Sequence, residues 1–568
     1  MKTPSEKFKI AAADFETTPF KFGRVPKPFC FGFKTRDNYY SEWAEEGEPC
    51  AKAFVDYIQK IKEPHIIYFH NGGRFDVLFL SKYINPERIT MIDGRVVSCR
   101  IGIHEIRDSM AIFPMALKSA IGKDAFDYSK LEKENRDKYR DEILGYLKSD
   151  CEYLLSLMLT FVAQTTTERS RTIPRTAAGA AYKQLLKTCP QPLNISPKNP
   201  EQAEKWLQEQ RDHDAYFRQY YKGGRVQPFE FGVLEGAFTL YDVNSMYPAV
   251  MKNYPYPRGR KYTVLNGGRL NSDGWVAGFK GQMYFIHFKG ECSEIPWKDE
   301  VTKKTYYSKH EGEFFLCSHE LRAAMILGKV RIDEVLEIRI PAVVQSFGAH
   351  VDKFYSLRKT EGVNDKALDT YFKLCLNAPY GRFAYDWRNY SEQIFDNCDG
   401  SLDYAALKKG GWRESETYCD EDGLLECRIL EHDNTRESYL DVAIGAAITS
   451  AARAELMMAI ASAKRPIYCD TDSLLCEGLG EGVKTGKALG EWKLELECDR
   501  AAISGRKLYA LFKGEAMIKD ASKGVRLTPK QHLHIAANPG EFATYEREAP
   551  TMRLGKKPVF ITRRVRRV

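Results

Sequence analysis

Tyr468-Cys469-Asp470-Thr471-Asp472-Ser473 is the stretch from which the rest of this chain can be read. It follows an apolar Pro466-Ile467 approach and runs into Leu474-Leu475, which predicts a strand, a tight turn carrying two acids, and a second strand. Alternation along such a hairpin puts Asp470 and Asp472 on one side. Two carboxylates held that close repel each other unless a cation lies between them, so a divalent metal is the natural resident. A lone Asp-x-Asp turn is most often merely solvated. The flanking Tyr, Thr and Ser make a rarer string, and partners for it occur elsewhere.

Tyr241-Asp242-Val243-Asn244-Ser245-Met246-Tyr247-Pro248 reads as a strand running into a helix, with Asp242 as the carboxylate opposite Asp472. Lys373, Asn377 and Tyr380 fall at i, i+4 and i+7, one helical stripe. On its own that stripe is more readily a solvent-facing one. It also suits a nucleotide, with Lys for phosphates, Asn for polar contacts and Tyr for a base or sugar. Pro379 disfavours helical geometry at Ala378 and removes a backbone donor, so the helix is expected to bend or end there.

A second acidic set lies near the N-terminus. Asp14-Phe15-Glu16 ends an opening strand, and its two acids share a face. His70-Asn71-Gly72-Gly73-Arg74-Phe75-Asp76 follows the apolar run Ile66-Ile67-Tyr68-Phe69, at a strand edge where α/β sheets bind ligands. Tyr146 and Asp150 sit four apart on a helix read over 136–164. Taken singly, these acids read as a strand-end turn, a helix cap and a solvated helix acid. Four carboxylates from three segments could hold two metal ions, one activating water and the other stabilising a phosphodiester's leaving oxygen. Tyr146 could orient that water.

At 568 residues the chain should divide into several domains, and 43% hydrophobic with 29% charged residues is ordinary globular composition. No apolar run is read as approaching a membrane span. Fourteen scattered cysteines without Cys-x-x-Cys spacing favour a reduced compartment over disulfides or zinc. Of the net charge of +8, seven positive charges fall within residues 551–568, leaving +1 for the remainder. A basic end on a balanced body suits a polyanion or simply solubilises a terminus.

The N-terminal set resembles the DnaQ-like 3′–5′ exonucleases, with motifs Asp-x-Glu, Asn-x-x-x-Phe-Asp and Tyr-x-x-x-Asp. The resemblance implies Asp14, Glu16, Asp76 and Asp150 as metal ligands. It implies His70, Asn71, Phe75, Ser109 and Lys123 as single-strand contacts. The later motifs resemble motifs A, B and C of family B DNA polymerases. Tyr221-Lys222-Gly223-Gly224 is similar to the Tyr-x-Gly-Gly element joining the two activities, and Lys507-Leu508-Tyr509 to a Lys-x-Tyr that steadies the primer end. The family usually carries Ser after the motif B asparagine, where this chain has Ala378-Pro379.

Short length, Asp-Val-Asn-Ser-x-Tyr-Pro and room for two insertions resemble the protein-primed polymerases of bacteriophages, tectivirus-type branch. The expected fold is α/β and α+β multidomain, an RNase H-like exonuclease domain followed by a right-hand polymerase with two insertions. The expected boundaries are 1–170 exonuclease, 171–254 linker and first palm, and 255–345 insertion one, contacting a terminal protein. They continue with 346–387 fingers, 388–436 insertion two, 437–500 remaining palm, and 501–568 thumb and basic end. The resemblance implies Asp242, Val243 and Asp472 as metal ligands with Asp470 in support, and two Mg²⁺ per site, with Mn²⁺ as a substitute. Tyr247, Lys373, Asn377 and Tyr380 would hold the nucleotide, and Tyr221, Gly223, Gly224, Lys507 and Tyr509 the DNA. Expected partners are template-primer DNA, deoxynucleoside triphosphates and a phage terminal protein, in the host cytoplasm, as a monomer or a heterodimer with that protein. The alternatives are a family B polymerase using ordinary or no primers, and a nuclease or DNA-binding scaffold.

Overall fold

The computed structural model describes residues 8–567 apart from 86–88, 93, 118–125, 168–169, 193–195, 268–280, 300, 303, 364–365, 390, 397–401, 420–424, 434–439, 523, 553–558 and 561. Lys123 lies outside the described residues.

The opening strand, Ile10–Thr17, is central in a seven-stranded sheet. Its alternation sorts two cores: Ala11, Ala13 and Phe15 pack with Phe54 and Ile58 of helix Glu48–Gln59, while Ile10 and Ala12 pack with Leu154 and Met158 of helix Arg140–Thr165. Asp14 and Glu16 therefore face the long helix. That helix sits close because a Cβ at Gly32, on the neighbouring strand, would lie 3.0 Å from both Cys151 Sγ and Leu147 Cγ. Ile10–Thr17 pairs in parallel with Ile66–Phe69, which pairs in parallel with His104–Asp108; antiparallel strands complete both edges.

A second seven-stranded sheet is antiparallel throughout, in the order Ala516–Ser522, Leu508–Lys513, Trp492–Gly505, Gly232–Val243, Ser473–Gly478, Lys464–Asp470, Val226–Pro228. The hairpin predicted around Asp470 is real, and it sits beside the strand carrying Asp242. Helix Val442–Ser462 lies in the core. It corrects the expectation of no span-length apolar run: by length and composition it could cross a membrane, yet 89% of that window is buried. Its apolar character answers to the core of this fold.

Within 255–345 the chain forms a four-stranded antiparallel sheet, ordered Tyr262–Asn266, Val330–Pro341, Phe285–Cys292, His310–Cys317. Within 388–436, whose Gly-Gly, Asp and Asn clusters predict an irregular or hairpin-like insertion, the described residues form a three-stranded antiparallel sheet, the hairpin-like form of that expectation. The basic terminus also departs from a plain tail, since Thr562–Arg566 pairs with Phe542–Glu546. The first 170 residues share a core with the remainder of the chain: Phe161 packs edge-on to Tyr371, ring centroids 6.1 Å apart.

Candidate active sites

Strand register builds the first site. Asp242 stands opposite Ser473 on one side and Lys493 on the other, and the Val243 N–H donates to the Asp472 carbonyl at 2.8 Å. The hairpin turns in two residues, with Thr471 at φ 62° and its N–H donating to the Arg225 carbonyl at 2.7 Å. This gathers Asp242, Asp470 and Asp472 around an open cleft of about 520 Å³, lined also by Tyr247, Asn377, Tyr380, Glu495, Lys507 and Tyr509. Burial, followed by the charge of Asp242, pushes the Asp472 carboxyl up to about 6. Burial also raises Asp242, against the pull of Lys493 Nζ at 3.3 Å. Carboxylates crowded so that their ionised forms oppose one another, with only oxygen donors, fit a hard divalent cation.

One wall of this cleft is aromatic. Tyr247 and Tyr380 stack at 4.0 Å and 2° from parallel. Asn377 donates its side-chain N–H to the Lys373 carbonyl at 2.8 Å; Lys373 itself is exposed and lies outside the lining of the cleft. The expected break is present: helix Lys366–Asn377 ends just before Ala378 and helix Pro379–Phe383 begins just after it. Ala378 itself keeps a helical φ of −86° and ψ of −23°, and its N–H still donates to Leu374 O at 3.0 Å. Pro379 takes the first position of the next helix, Pro379–Phe383, where its missing donor is harmless. The helices adjoin almost without interruption, and that brings Tyr380 onto Tyr247.

Tyr221–Gly224 runs behind the hairpin. A Cβ on Gly224 would come within 2.9 Å of Thr471 Cγ2 and 3.1 Å of the Tyr247 hydroxyl, so only glycine lets this segment approach. Arg453 secures it from the buried helix, donating to Lys222 O at 2.6 Å and Gly223 O at 2.9 Å while paired with Glu320 at 2.6 Å. On the other flank the Lys507 N–H donates to the Tyr468 hydroxyl at 2.9 Å, the rings of Tyr468 and Tyr509 lie 4.7 Å apart, and Lys507 Nζ reaches Asp470 at 3.2 Å.

The second site lies between the first sheet and helix Arg140–Thr165. Asp14, Glu16 and Asp150 each offer a carboxylate oxygen within 4.8 Å of the others, a donor set that also suits a divalent ion. Asp76 is not part of this trio. It is buried at the start of a short helix, against the Phe15 backbone, and burial raises its carboxyl. Tyr146 packs on Phe126 at 4.1 Å, and burial followed by the Asp150 charge pushes its hydroxyl far up, keeping it protonated. His70 bonds through Nδ1 to Ser109 Oγ and through Nε2 to Met115 O, both at 2.9 Å. Ser109 is fully buried and donates to Phe69 O at 3.1 Å, so it positions His70 rather than forming surface. Asn71, at φ 65°, accepts from Arg95, and Phe75 is half-buried beside Phe20.

Residues 123–473 match the family described as DNA polymerase type B, organellar and viral. The chain is 35% identical to the DNA-directed DNA polymerase of Enterobacteria phage PRD1 over 525 residues, covering 92% of this chain and 86% of that protein. It belongs to the organellar and viral type B DNA polymerases. This polymerase is also 26% identical to the DNA polymerase of Bacillus phage phi29 over 52% of its own length and 49% of that protein. A solved structure of phi29 DNA polymerase with primer-template DNA superposes with a TM-score of 0.68, covering 99% of this chain and 100% of that one at 18% identity.

The structure adds residues to the Asp242–Asp472 cleft that sequence reading passed over. Glu495 lines it and pairs with Lys519 at 2.8 Å, and Lys493 holds Asp242. The alternation Trp492-Lys493-Leu494-Glu495 carried that signal as a strand with a polar face. Arg453 and Glu320 had no such signal, since one sits in an Ala-rich helix and the other 133 residues earlier.

Proposed function

We propose that this polymerase extends DNA at the Asp242–Asp472 cleft, edits it at the Asp14–Glu16–Asp150 site, and begins synthesis on a terminal protein. The observation that carries the polymerase reading is the convergence of Asp242, Asp470, Asp472, Tyr247, Tyr380, Lys507 and Tyr509 on one cleft. Asp242 and Asp472, with the Val243 carbonyl, would hold two Mg²⁺, or Mn²⁺ in their place. When bound, such ions neutralise phosphate charge and activate the attacking oxygen. Asp470 is kept to the side by Lys507 and supports the pair. Lys373 offers positive charge to the incoming triphosphate, whose transfer needs mainly positioning and charge stabilisation. The Tyr247 ring, backed by Tyr380, forms the floor under the sugar and excludes a 2′-hydroxyl.

For editing, Asp14, Glu16 and Asp150 would hold the ions, with Asp76 beneath. The protonated Tyr146 hydroxyl orients the attacking water. His70, Asn71 and Phe75 receive the unpaired strand. In this reading residues 1–170 are the RNase H-like exonuclease domain, the second seven-stranded sheet is the palm, 346–387 the fingers and 501–568 the thumb. The sheet within 255–345 meets the terminal protein, and the one within 388–436 assists strand displacement, in the host cytoplasm.

The test mixes the protein, Mg²⁺, one labelled deoxynucleotide and a candidate terminal protein. Covalent label on that partner, lost in Asp472→Asn, supports protein priming. Label appearing only on an added oligonucleotide primer would leave synthesis intact and reject protein priming.

A further inference from the structure

Residues 18–27 join strands Ile10–Thr17 and Pro28–Lys34 and begin two residues after Glu16. This loop carries Phe20 and Phe22, which are 46% and 44% exposed. One exposed ring needs no explanation, but these two belong to a run. Phe20 meets Phe75 with ring centroids 5.3 Å apart, and Phe22 meets Phe560 at 5.4 Å. Phe75 directly precedes Asp76, and Phe560 belongs to the C-terminal segment. The rings thus form two edge-to-face pairs, Phe20 with Phe75 and Phe22 with Phe560, linked through a loop that starts two residues after Glu16 and reaches the C-terminal segment.

The loop is braced. Arg24 pairs with Glu132 at 2.7 Å and donates to Pro19 O at 2.5 Å, and Thr18 N–H donates to Lys27 O at 3.0 Å. The rings are therefore held in place before any ligand arrives. Charge favours one class of occupant: besides Arg24, which is held by Glu132, residues 18–27 carry Lys21 and Lys27 and no acid. Aromatic faces interleaved with cations suit single-stranded nucleic acid, because every base offers a π-face and every phosphate a charge.

We infer that Phe20, Phe22 and Phe560 form a stacking track that extends the Phe75 contact and guides an unpaired primer end from the C-terminal segment to the Asp14–Glu16–Asp150 site. The inference rests on the editing reading above. It makes the C-terminal segment a participant in primer transfer, with Phe22–Phe560 as the handover point.

The test uses the full chain with Mg²⁺, comparing digestion of a single-stranded oligodeoxynucleotide with that of a dinucleotide too short to reach Phe22. Phe22→Leu and Phe560→Leu keep apolar bulk but remove the π-face. Each should lower kcat/KM on the oligonucleotide at least about fivefold, the low end for one aromatic–base stack, with a smaller loss on the dinucleotide. Phe22→Trp should restore the oligonucleotide rate, which a merely structural contact would not require. Equal losses on both substrates, or wild-type rates in both leucine variants, would overturn the track while leaving editing intact. A wild-type protein that digests neither substrate would overturn the editing reading itself. Unchanged DNA digestion with loss of a protein partner in Phe22→Leu would reassign the rings to protein docking.

Discussion

The ring of Tyr247 lies flat against that of Tyr380, 4.0 Å away, joining the helix after Asp242 to the helix after Asn377. Tyr247 is only 8% exposed, and Gly224 closes over its hydroxyl. In the proposed reading this floor lies under the incoming sugar and blocks an added 2′-hydroxyl. Tyr247→Ala is expected to incorporate ribonucleotides much more readily, while Tyr247→Phe keeps discrimination. Single-nucleotide kcat/KM ratios for dNTP against rNTP check this, and an unchanged ratio in Tyr247→Ala would sink the steric role.

The two acidic sets sit on different sheets, so they should fail separately. Asp472→Asn is expected to abolish primer extension and spare single-strand digestion. Asp14→Ala with Asp76→Ala should do the reverse, lowering digestion by about 10³-fold or more, as loss of metal-supported catalysis implies. Gel assays of extension and digestion on one preparation distinguish the outcomes. Equal loss of both activities in either variant contradicts the two-site reading.

Much of this was legible because the chemistry is written in short local patterns. Asp14–Glu16 and Tyr146–Asp150 depend on strand and helix periods that any backbone imposes, and Asp470 and Asp472 on the two-residue turn that a hairpin between apolar strands requires. The Asp76 environment was not legible, because burial against the Phe15 backbone depends on how a helix seats against a sheet. The helix break at Ala378 was legible from Pro379, whereas the helical φ and ψ that Ala378 itself keeps were not, since they accompany the packing of Tyr380 on Tyr247.

Arg453 is 3% exposed and its carboxylate partner Glu320 is fully buried. Truncating one member of a buried pair leaves the other charge stranded, at a cost of about 3–5 kcal/mol. Here the same guanidinium also holds the carbonyls of Lys222 and Gly223. Arg453→Met is therefore expected to lower the melting temperature and weaken template-primer binding together. Glu320→Gln, which keeps an acceptor for Arg453, should be milder on both. Thermal melts and DNA titrations check the pairing, and Arg453→Met with wild-type DNA affinity would detach it from the Tyr221–Gly224 segment.

His319 gives the fold a defined acid limb. It is 4% exposed, bonded through Nε2 to the Pro255 carbonyl at 2.9 Å, and burial pushes its imidazole down to about 4 from an ordinary 6.5. Because the folded value is the depressed one, the unfolded chain takes up the proton first as pH falls. The stability held by the neutral ring is complete above pH 6.5 and is lost progressively toward pH 4, amounting to about 3 kcal/mol. Burial lowers His70, His104, His350 and His532 in the same direction, so they steepen the same limb. His319→Gln retains an N–H for Pro255 O but cannot titrate. Its unfolding midpoint should fall less between pH 6.5 and pH 4 than that of the wild type, with about one proton fewer taken up on unfolding. Parallel pH slopes for the two proteins would show that His319 is not what acid attacks.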